Sequence, residues 1–429
     1  ILGLSFTIFT YMKILHTSDW HLGKRLDDFS RMEEQRAVMS EICEIATREE
    51  VHAVVVAGDL FDTFNPPTEA TELLYSTLKR LTDNGIRPVI AIAGNHDSPE
   101  RTEAPDPLAR ECGIFFVGYP NSVVPPFELE TGLKVLHSEP GFLELALPGT
   151  EVPLRILLTP YANEARLKTC LETCSETNGQ ESEEDREANL RRLLEKKWQE
   201  LAGRYCNSNG INLLVSHLFM NRMGAELPEE PEEEKPILHV GGASVVYTEN
   251  VPDTVQYVAL GHLHRMQAVD IQPCPVYYSG SPLSYSFAEA NQQKYVMLVE
   301  VEAGAAACAR EIPLTEGKKL FRKRAVGIDD ALQWLSENTD ALVELTLATD
   351  TYLTATDRRR LNAVHPGIIS VIPELTGTTP LTDARQKTID LSRSMEDLFR
   401  DYFHHEKGQE PNEEIMQLFT EMLAGEDEL

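Results

Sequence analysis

The sequence lacks any apolar run long enough to cross a bilayer as a helix, which takes about 20 residues, so it offers no transmembrane segment. It also lacks a secretory signature. The leading stretch Ile1–Tyr11 is apolar but has neither a positive flank nor a small-residue cleavage site. Met12 follows directly and reads as the natural start, which makes residues 1–11 an extension and a cytoplasmic location the expectation. Cysteine is scarce, with seven scattered at positions 43, 112, 170, 174, 206, 274 and 308. That odd, dispersed set excludes the disulfide framework of small secreted domains. Cys170 and Cys174 share a helical spacing, but a lone pair is too few for structural zinc, and packing is the reading. There is no phosphate-binding loop of the GxxxxGK[ST] type, so any ATP-driven step must come from a partner. Basic residues are in deficit: 39 Lys and Arg against 69 Asp and Glu leave a net charge of −30. A field of that sign repels polyanions. A nucleic-acid substrate would therefore need metal ions, local basic side chains or a partner to supply positive potential. Much of the acid lies in residues 181–187, 226–234 and 410–429, which read as solvated surface.

What is present is the composition of a globular chain, 42% apolar and 25% charged over 429 residues. That length predicts two or three domains. Residues 13–18, 52–57, 87–93, 154–159, 211–215 and 255–260 read as strands. Residues 31–50 and 67–83 read as helices, and the alternation is that of a layered α/β domain. Residues 183–205 carry helical spacing with heavy charge and read as an exposed helix. From residue 293 the pattern suggests a small α/β cap, with strands at 295–301, 342–347 and 368–372 and helices at 329–337 and 357–364. Two amphipathic helical patterns follow within 394–423. The expected boundaries are 12–292 for the main domain, 293–390 for the cap and 391–429 for the C-terminal helices. Those helices either pack on their own domain or dock on a partner.

Five short segments place His, Asp or Asn just beyond an expected strand: Asp19-Trp20-His21, Gly58-Asp59, Gly94-Asn95-His96-Asp97, Ser216-His217 and Gly261-His262-Leu263-His264. Ligands of open α/β sheets bind outside the carboxyl ends of the strands, so these segments can converge although they are far apart in sequence. The glycines allow tight turns next to a ligand. Carboxylates, an amide and imidazoles without thiolate suit divalent ions such as manganese, iron or zinc. Two ions about 3.5–4 Å apart clamp a phosphate and activate water, and a pair that close needs a shared carboxylate. A lone histidine has a blander meaning. His52, His137, His239, His365, His404 and His405 read as surface or core residues, and His16 as packing that supports the site.

The ordered set of motifs resembles the calcineurin-like metallophosphoesterases. The longer stretches ILHTSDWHLGK, VVVAGDLFDTFNPP, IAGNHDS, YVALGHLHRMQ and YYSGSPLSYSF are similar to the SbcD branch of that family, the nuclease subunits of bacterial SbcCD complexes. The resemblance carries specific motifs over residues 12–301 and only the order of elements beyond. It implies a core of two sheets flanked by helices, with the cap and C-terminal helices appended. It implies that Asp19, His21, Asp59 and His264 hold one metal, and that Asp59 bridges to a second held also by Asn95, His217 and His262. Manganese is the expected ion, with iron, zinc or magnesium as alternatives. His96 would contact the scissile phosphate and donate a proton to the leaving oxygen. Asp97 would orient His96, or else only cap the turn. Asp62 stands where some relatives carry a histidine, and its role stays open.

Lys24, Arg25, Arg222 and Arg265 flank the motifs and are candidates for DNA phosphate contacts, with surface solvation as the other reading. The resemblance further implies double-strand exonuclease and single-strand endonuclease activity in DNA end and hairpin processing. It implies an SbcC-type ATPase as partner, docked on the C-terminal helices, and a homodimer within a heterotetramer, joined through helices near 31–50 or 67–83. Two other functions share these motifs or this fold: a phosphatase or small-molecule phosphodiesterase, and a non-catalytic scaffold subunit.

Overall fold

The structure is a computed structural model. It describes residues 11–161, 183–225, 245–349 and 353–375, together with 399, 400, 403 and 416. The chain forms two compact units, Ile1–Leu347 with Thr354–Ile372, and Ala348–Leu353 with Pro373–Leu429. Of the second unit few residues are described. Most of the expected C-terminal helices, Cys170, Cys174, His239, His404 and His405 lie outside the described residues.

The main described elements run in order as β1 (Tyr11–Thr17), α1 (Met32–Arg48), β2 (Ala53–Val56), α2 (Thr68–Leu81), β3 (Val89–Ile92) and β4 (Ile114–Val117). Next come β5 (Lys134–Glu139), β6 (Phe142–Ala146), β7 (Leu154–Thr159), α3 (Glu183–Tyr205), β8 (Ile211–His217), β9 (Tyr257–Gly261), β10 (Gln267–Asp270) and β11 (Val276–Tyr278). The last are β12 (Tyr295–Glu302), β13 (Cys308–Pro313), β14 (Lys319–Val326), α4 (Gly327–Glu337), β15 (Ala341–Thr349), α5 (Ala355–Val364) and β16 (Ile368–Leu375).

Two large sheets carry the domain. The first has the order β13-β12-β1-β2-β3-β4 and the second β10-β11-β9-β8-β7-β6-β5. Strands β1 to β4 pair in parallel, as do β7, β8, β9 and β11. Their near-continuous apolar runs are what a sheet covered on both faces requires. The period of two decides which face each side chain meets. Ile14, Val55 and Ile92 point inward and pack on Ile156, Val215 and Ala259 of the second sheet. Leu15, Val54 and Val56 point outward beneath Val38 and Ile42 of α1 and Leu74 and Leu78 of α2. On the far side, Leu157, Leu214 and Val258 meet Leu190, Leu194 and Trp198 of α3. The result is four layers, helix, sheet, sheet, helix, with each fully buried Leu or Val contributing about 1.5–3 kcal/mol.

Two expectations change. Helix α3 is not an exposed helix: Leu190, Leu194, Trp198 and Leu201 are buried along one face, and the Trp198 indole donates to Thr159 Oγ1 at 2.9 Å. Charge on the other face masks this stripe when residues are merely counted. The strand at 295–301 does not begin the cap. As β12 it returns antiparallel to β1, with Leu15 opposite Leu298, and sits inside the first sheet. The small α/β unit begins at β14, whose sheet has the order β14-β15-β16 and carries α4 and α5. It meets the main domain through Leu320 and Leu342 against Leu26 and Phe287.

The five cysteines among the described residues are free. No helix among the described residues is long and apolar enough to cross a membrane.

Candidate metal centre

The five motifs stand at the carboxyl ends of parallel strands from both sheets. Asp19 and His21 follow β1, Asp59 follows β2, and Asn95, His96 and Asp97 follow β3, all in the first sheet. His217 ends β8, and His262 and His264 follow β9, in the second. The packing of the two sheets therefore sets the distance between the halves of the site. Buried His16 helps fix it: Nδ1 meets the Tyr257 hydroxyl at 2.9 Å and Nε2 the Leu260 carbonyl at 3.1 Å, so a β1 side chain is pinned to β9. Burial lowers its pKa to about 3, partly opposed by the Leu260 bond.

The turns that carry the donors are strained. Asp19, His21, Asp59 and His262 have φ of 52°, 42°, 51° and 107°, a region non-glycine residues enter at a cost and mostly at functional sites. The neighbouring glycines are dictated by space. A Cβ on Gly94 would lie 2.0 Å from Asp59 Oδ1, and one on Gly58, at φ 93°, would lie 2.2 Å from His217 Nδ1.

The donor atoms converge in two groups joined by Asp59. In one, His21 Nε2 and His264 Nε2 are 3.0 Å apart, with Asp19 close enough to share an ion with both. In the other, Asn95 Oδ1 is 3.0 Å from both His217 Nε2 and His262 Nδ1. Asp59 Oδ2 lies between, 3.5 Å from His21 Nε2 and 3.4 Å from His217 Nε2. The tautomer of His217 tests whether a cation fits. Its Nδ1 faces the Ala57 carbonyl at 2.8 Å and must donate there. In a neutral ring Nε2 then carries a lone pair aimed at the oxygens of Asn95 and Asp59, so acceptors face acceptors. A divalent ion resolves that arrangement and matches the donor chemistry. Burial works against a charged His217, yet Asp59 raises its pKa to about 9.

The surrounding charges respond in kind. Burial raises Asp19 to about 6, with His217 and His264 pulling against it. Burial also opposes ionisation of Asp59, but His217 and His21 hold it well below the usual carboxylate range. Burial, reinforced by His217, lowers His262 to about 3, and burial holds His21 well below its ordinary value despite Asp59. Glu289, almost fully buried behind His264, is held at about 2: burial pushes it up, but Lys294 and His264 outweigh it.

The structure brings Asp19, His21, Asp59, Asn95, His96, His217, His262 and His264 together. The His96 ring lies 4.8 Å from that of His21, its amide donates to Asp59 Oδ1 at 2.9 Å, and its Nδ1 meets the Asp62 carbonyl at 2.8 Å. Asp97 is not bonded to the His96 ring. Its carboxylate accepts from the Leu60, Phe61 and Gly94 amides at 3.0, 3.0 and 2.8 Å and ties the Asp59 turn to the Asn95 turn. The turn-capping alternative thus describes its geometry, and the Asp62 carbonyl takes the contact expected of Asp97. Lys24 pairs with Asp62 at 2.8 Å, while Arg25, Arg222 and Arg265 are exposed at the surface. His52 accepts from the Lys13 amide and His365 bridges Asn338 and Gly367, both structural. Sequence reading missed Glu289 and Lys294, which lie 25 and 30 positions beyond His264, just past the YYSGSPLSYSF stretch.

Fold and donor set define the class, and comparison with known proteins agrees. Residues 12–266 match the family model described as calcineurin-like phosphoesterase. The SbcD component of the nuclease SbcCD from Bacillus subtilis strain 168 is 35% identical over 422 residues, 97% of this chain and 99% of that protein. The protein of the same name from Rhodobacter capsulatus is 33% identical over 318 residues, 74% of this chain and 72% of that one. The chain belongs to the SbcD family of calcineurin-like phosphoesterases.

Proposed function

We propose that this chain is a metal-dependent DNA nuclease subunit that hydrolyses phosphodiester bonds at the Asp59 site and works with an SbcC-type ATPase. The observation that supports it best is the position of Asp59 between two complete groups of donors, together with the relatives named as SbcD components of the nuclease SbcCD. Asp19, His21, Asp59 and His264 would hold one divalent ion, and Asp59, Asn95, His217 and His262 the other. Manganese is the ion proposed. Bound there, two ions would supply the charge that polarises a phosphate and activates water.

The protein's own groups do the rest. Asp59 keeps the two subsites in register. The Asp62 carbonyl anchors His96 through Nδ1, which leaves Nε2 as the atom that, when protonated, donates to the departing sugar oxygen. Asp97 locks the two turns that carry Asp59 and Asn95. With a net charge of −30 the chain does not attract DNA by its overall field. Lys24, Arg25, Arg222 and Arg265 supply local positive charge, and the ATPase partner the rest. A homodimer within a heterotetramer and a cytoplasmic site of action complete the reading.

The test is manganese-dependent cleavage of a labelled DNA hairpin and a duplex end, beside release of phosphate from a phosphopeptide, with and without the ATPase. DNA cleavage that needs the metal and exceeds phosphopeptide turnover supports the reading. Phosphopeptide turnover without DNA cleavage makes the chain a phosphatase, and no turnover of either makes it a scaffold.

A further inference from the structure

The two ring nitrogens that meet at 3.0 Å, Nε2 of His21 and Nε2 of His264, belong to rings whose opposite nitrogens each face a carboxylate. His264 Nδ1 lies 3.5 Å from Glu289 Oε1, and His21 Nδ1 lies 3.7 Å from Asp62 Oδ1. Each carboxylate has a lysine of its own: Lys294 pairs with Glu289, and Lys24 with Asp62 at 2.8 Å. Behind His217 the same place is taken by a neutral group, the Ala57 carbonyl. The two subsites therefore differ in what stands behind their imidazoles.

We propose that Glu289, with partly buried Asp62 as its counterpart, is a positioning residue of the His21–His264 subsite: its carboxylate, 3.5 Å from His264 Nδ1, favours the proton on that nitrogen and so presents the Nε2 lone pair to the ion. This deepens the two-metal reading above and rests on it. A carboxylate behind a ligating imidazole fixes its tautomer and raises its basicity. Glu289 is placed to do so with little freedom. It is 1% exposed, Oε1 accepts from the Tyr285 amide at 3.0 Å, and Oε2 takes Lys294 and the Ser281 hydroxyl. Burying a lone carboxylate is costly. Lys294 removes that cost and is itself held, its ammonium also reaching the His264 carbonyl at 2.9 Å and Ser281 Oγ at 3.1 Å. Lys294 thus grips the backbone of His264 while its partner carboxylate faces the ring. An ion pair placed only for stability has no need to meet a metal ligand at both ends.

The experiment is manganese binding by titration calorimetry and metal analysis on the full chain, for wild type, Glu289→Gln, Asp62→Asn and the double variant Glu289→Gln/Lys294→Met, with melting of each metal-free protein alongside. The double variant removes the lysine that Glu289→Gln alone leaves unpaired. Wild type is expected to bind two ions. Glu289→Gln and the double variant are expected to weaken one ion about 10–100-fold and leave the other as in wild type. Asp62→Asn is expected to weaken the same ion about 10-fold with unchanged melting. Wild-type affinity for both ions in the double variant overturns the proposal. So does loss of both ions in step with loss of folded protein, which makes Glu289 structural. A wild type that binds no manganese removes the two-metal reading and this inference with it. DNA cleavage does not enter the measurement, so failure of the nuclease assignment is distinguishable.

Discussion

Asp59 and His217 approach to 3.4 Å, Oδ2 to Nε2, although they come from different sheets. One follows β2 and the other ends β8, and the contact exists only because the apolar inner faces of the two sheets are packed together. Asp59 also reaches His21 Nε2 at 3.5 Å, so it stands between the two groups of donors. Asp59→Asn keeps the shape and removes the charge. The expected outcome is loss of both ions in metal analysis, not of one, and a fall in cleavage larger than any other single ligand change produces. Retention of one tightly bound ion would show that the carboxylate does not bridge.

His96 predicts the opposite pattern. It lies beside the donors without belonging to the His217 and His262 group, and the Asp62 carbonyl occupies its Nδ1. His96→Ala is expected to bind manganese like wild type and to lose about 10²–10⁴ in the rate of DNA cleavage. Single-turnover cleavage measured beside metal content separates the two effects. Cleavage at the wild-type rate removes His96 from the chemistry.

Asp97 is expected to behave as a structural lock. Three buried amides depend on its carboxylate. Each buried donor left without a partner costs about 1–3 kcal/mol, so Asp97→Ala is expected to lose at least about 2 kcal/mol of unfolding free energy. Asp97→Asn, which keeps one acceptor, should fall between. Urea unfolding of the metal-free protein checks this. The pH profile of residual cleavage should match that of wild type, because Asp97 is not bonded to the His96 ring. A shifted profile would restore the orienting role.

How much was legible follows from where the information lies. The donors stand out because each directly follows a strand whose apolar run is visible locally, and parallel strands bring such positions to one edge. The layered α/β class was legible from the alternation of strand and helix patterns, but that Ile14 and Leu15 point to different cores shows only once the sheets are packed. What stayed hidden depends on distant partners. Nothing near Tyr295–Glu302 shows that it pairs with β1 and not with the strands of the cap. The stripe of Leu190, Leu194 and Trp198 is diluted by charged neighbours, and its burial is set by the sheet beneath it. Glu289 reads as one more acid in a chain rich in them until the fold sets it behind His264. The left-handed backbone of Asp19 and Asp59 is likewise invisible, since neither residue type demands it.

His16 makes the dependence of the site on sheet packing measurable through pH. Burial lowers its pKa to about 3, against the hydrogen bond to the Leu260 carbonyl, from an ordinary value of 6.5. Between those values the unfolded chain binds a proton that the folded chain does not. The contribution of His16 to stability is therefore complete above pH 6.5 and is lost as pH drops through the window. One such group adds up to about 1.4 kcal/mol per pH unit to the slope. His262, also lowered to about 3, adds to the slope, while Asp19 and Asp97, both raised to about 6 by burial, oppose it, so the share of His16 is read from the difference between variant and wild type. In urea unfolding of metal-free protein between pH 7 and 5, His16→Gln is expected to be less stable than wild type at pH 7, because the contact with the Tyr257 hydroxyl is altered. It should lose less on acidification, so the two curves approach each other. Parallel curves would mean that His16 takes up its proton in the folded state, and that its ring is not the sealed link between β1 and β9.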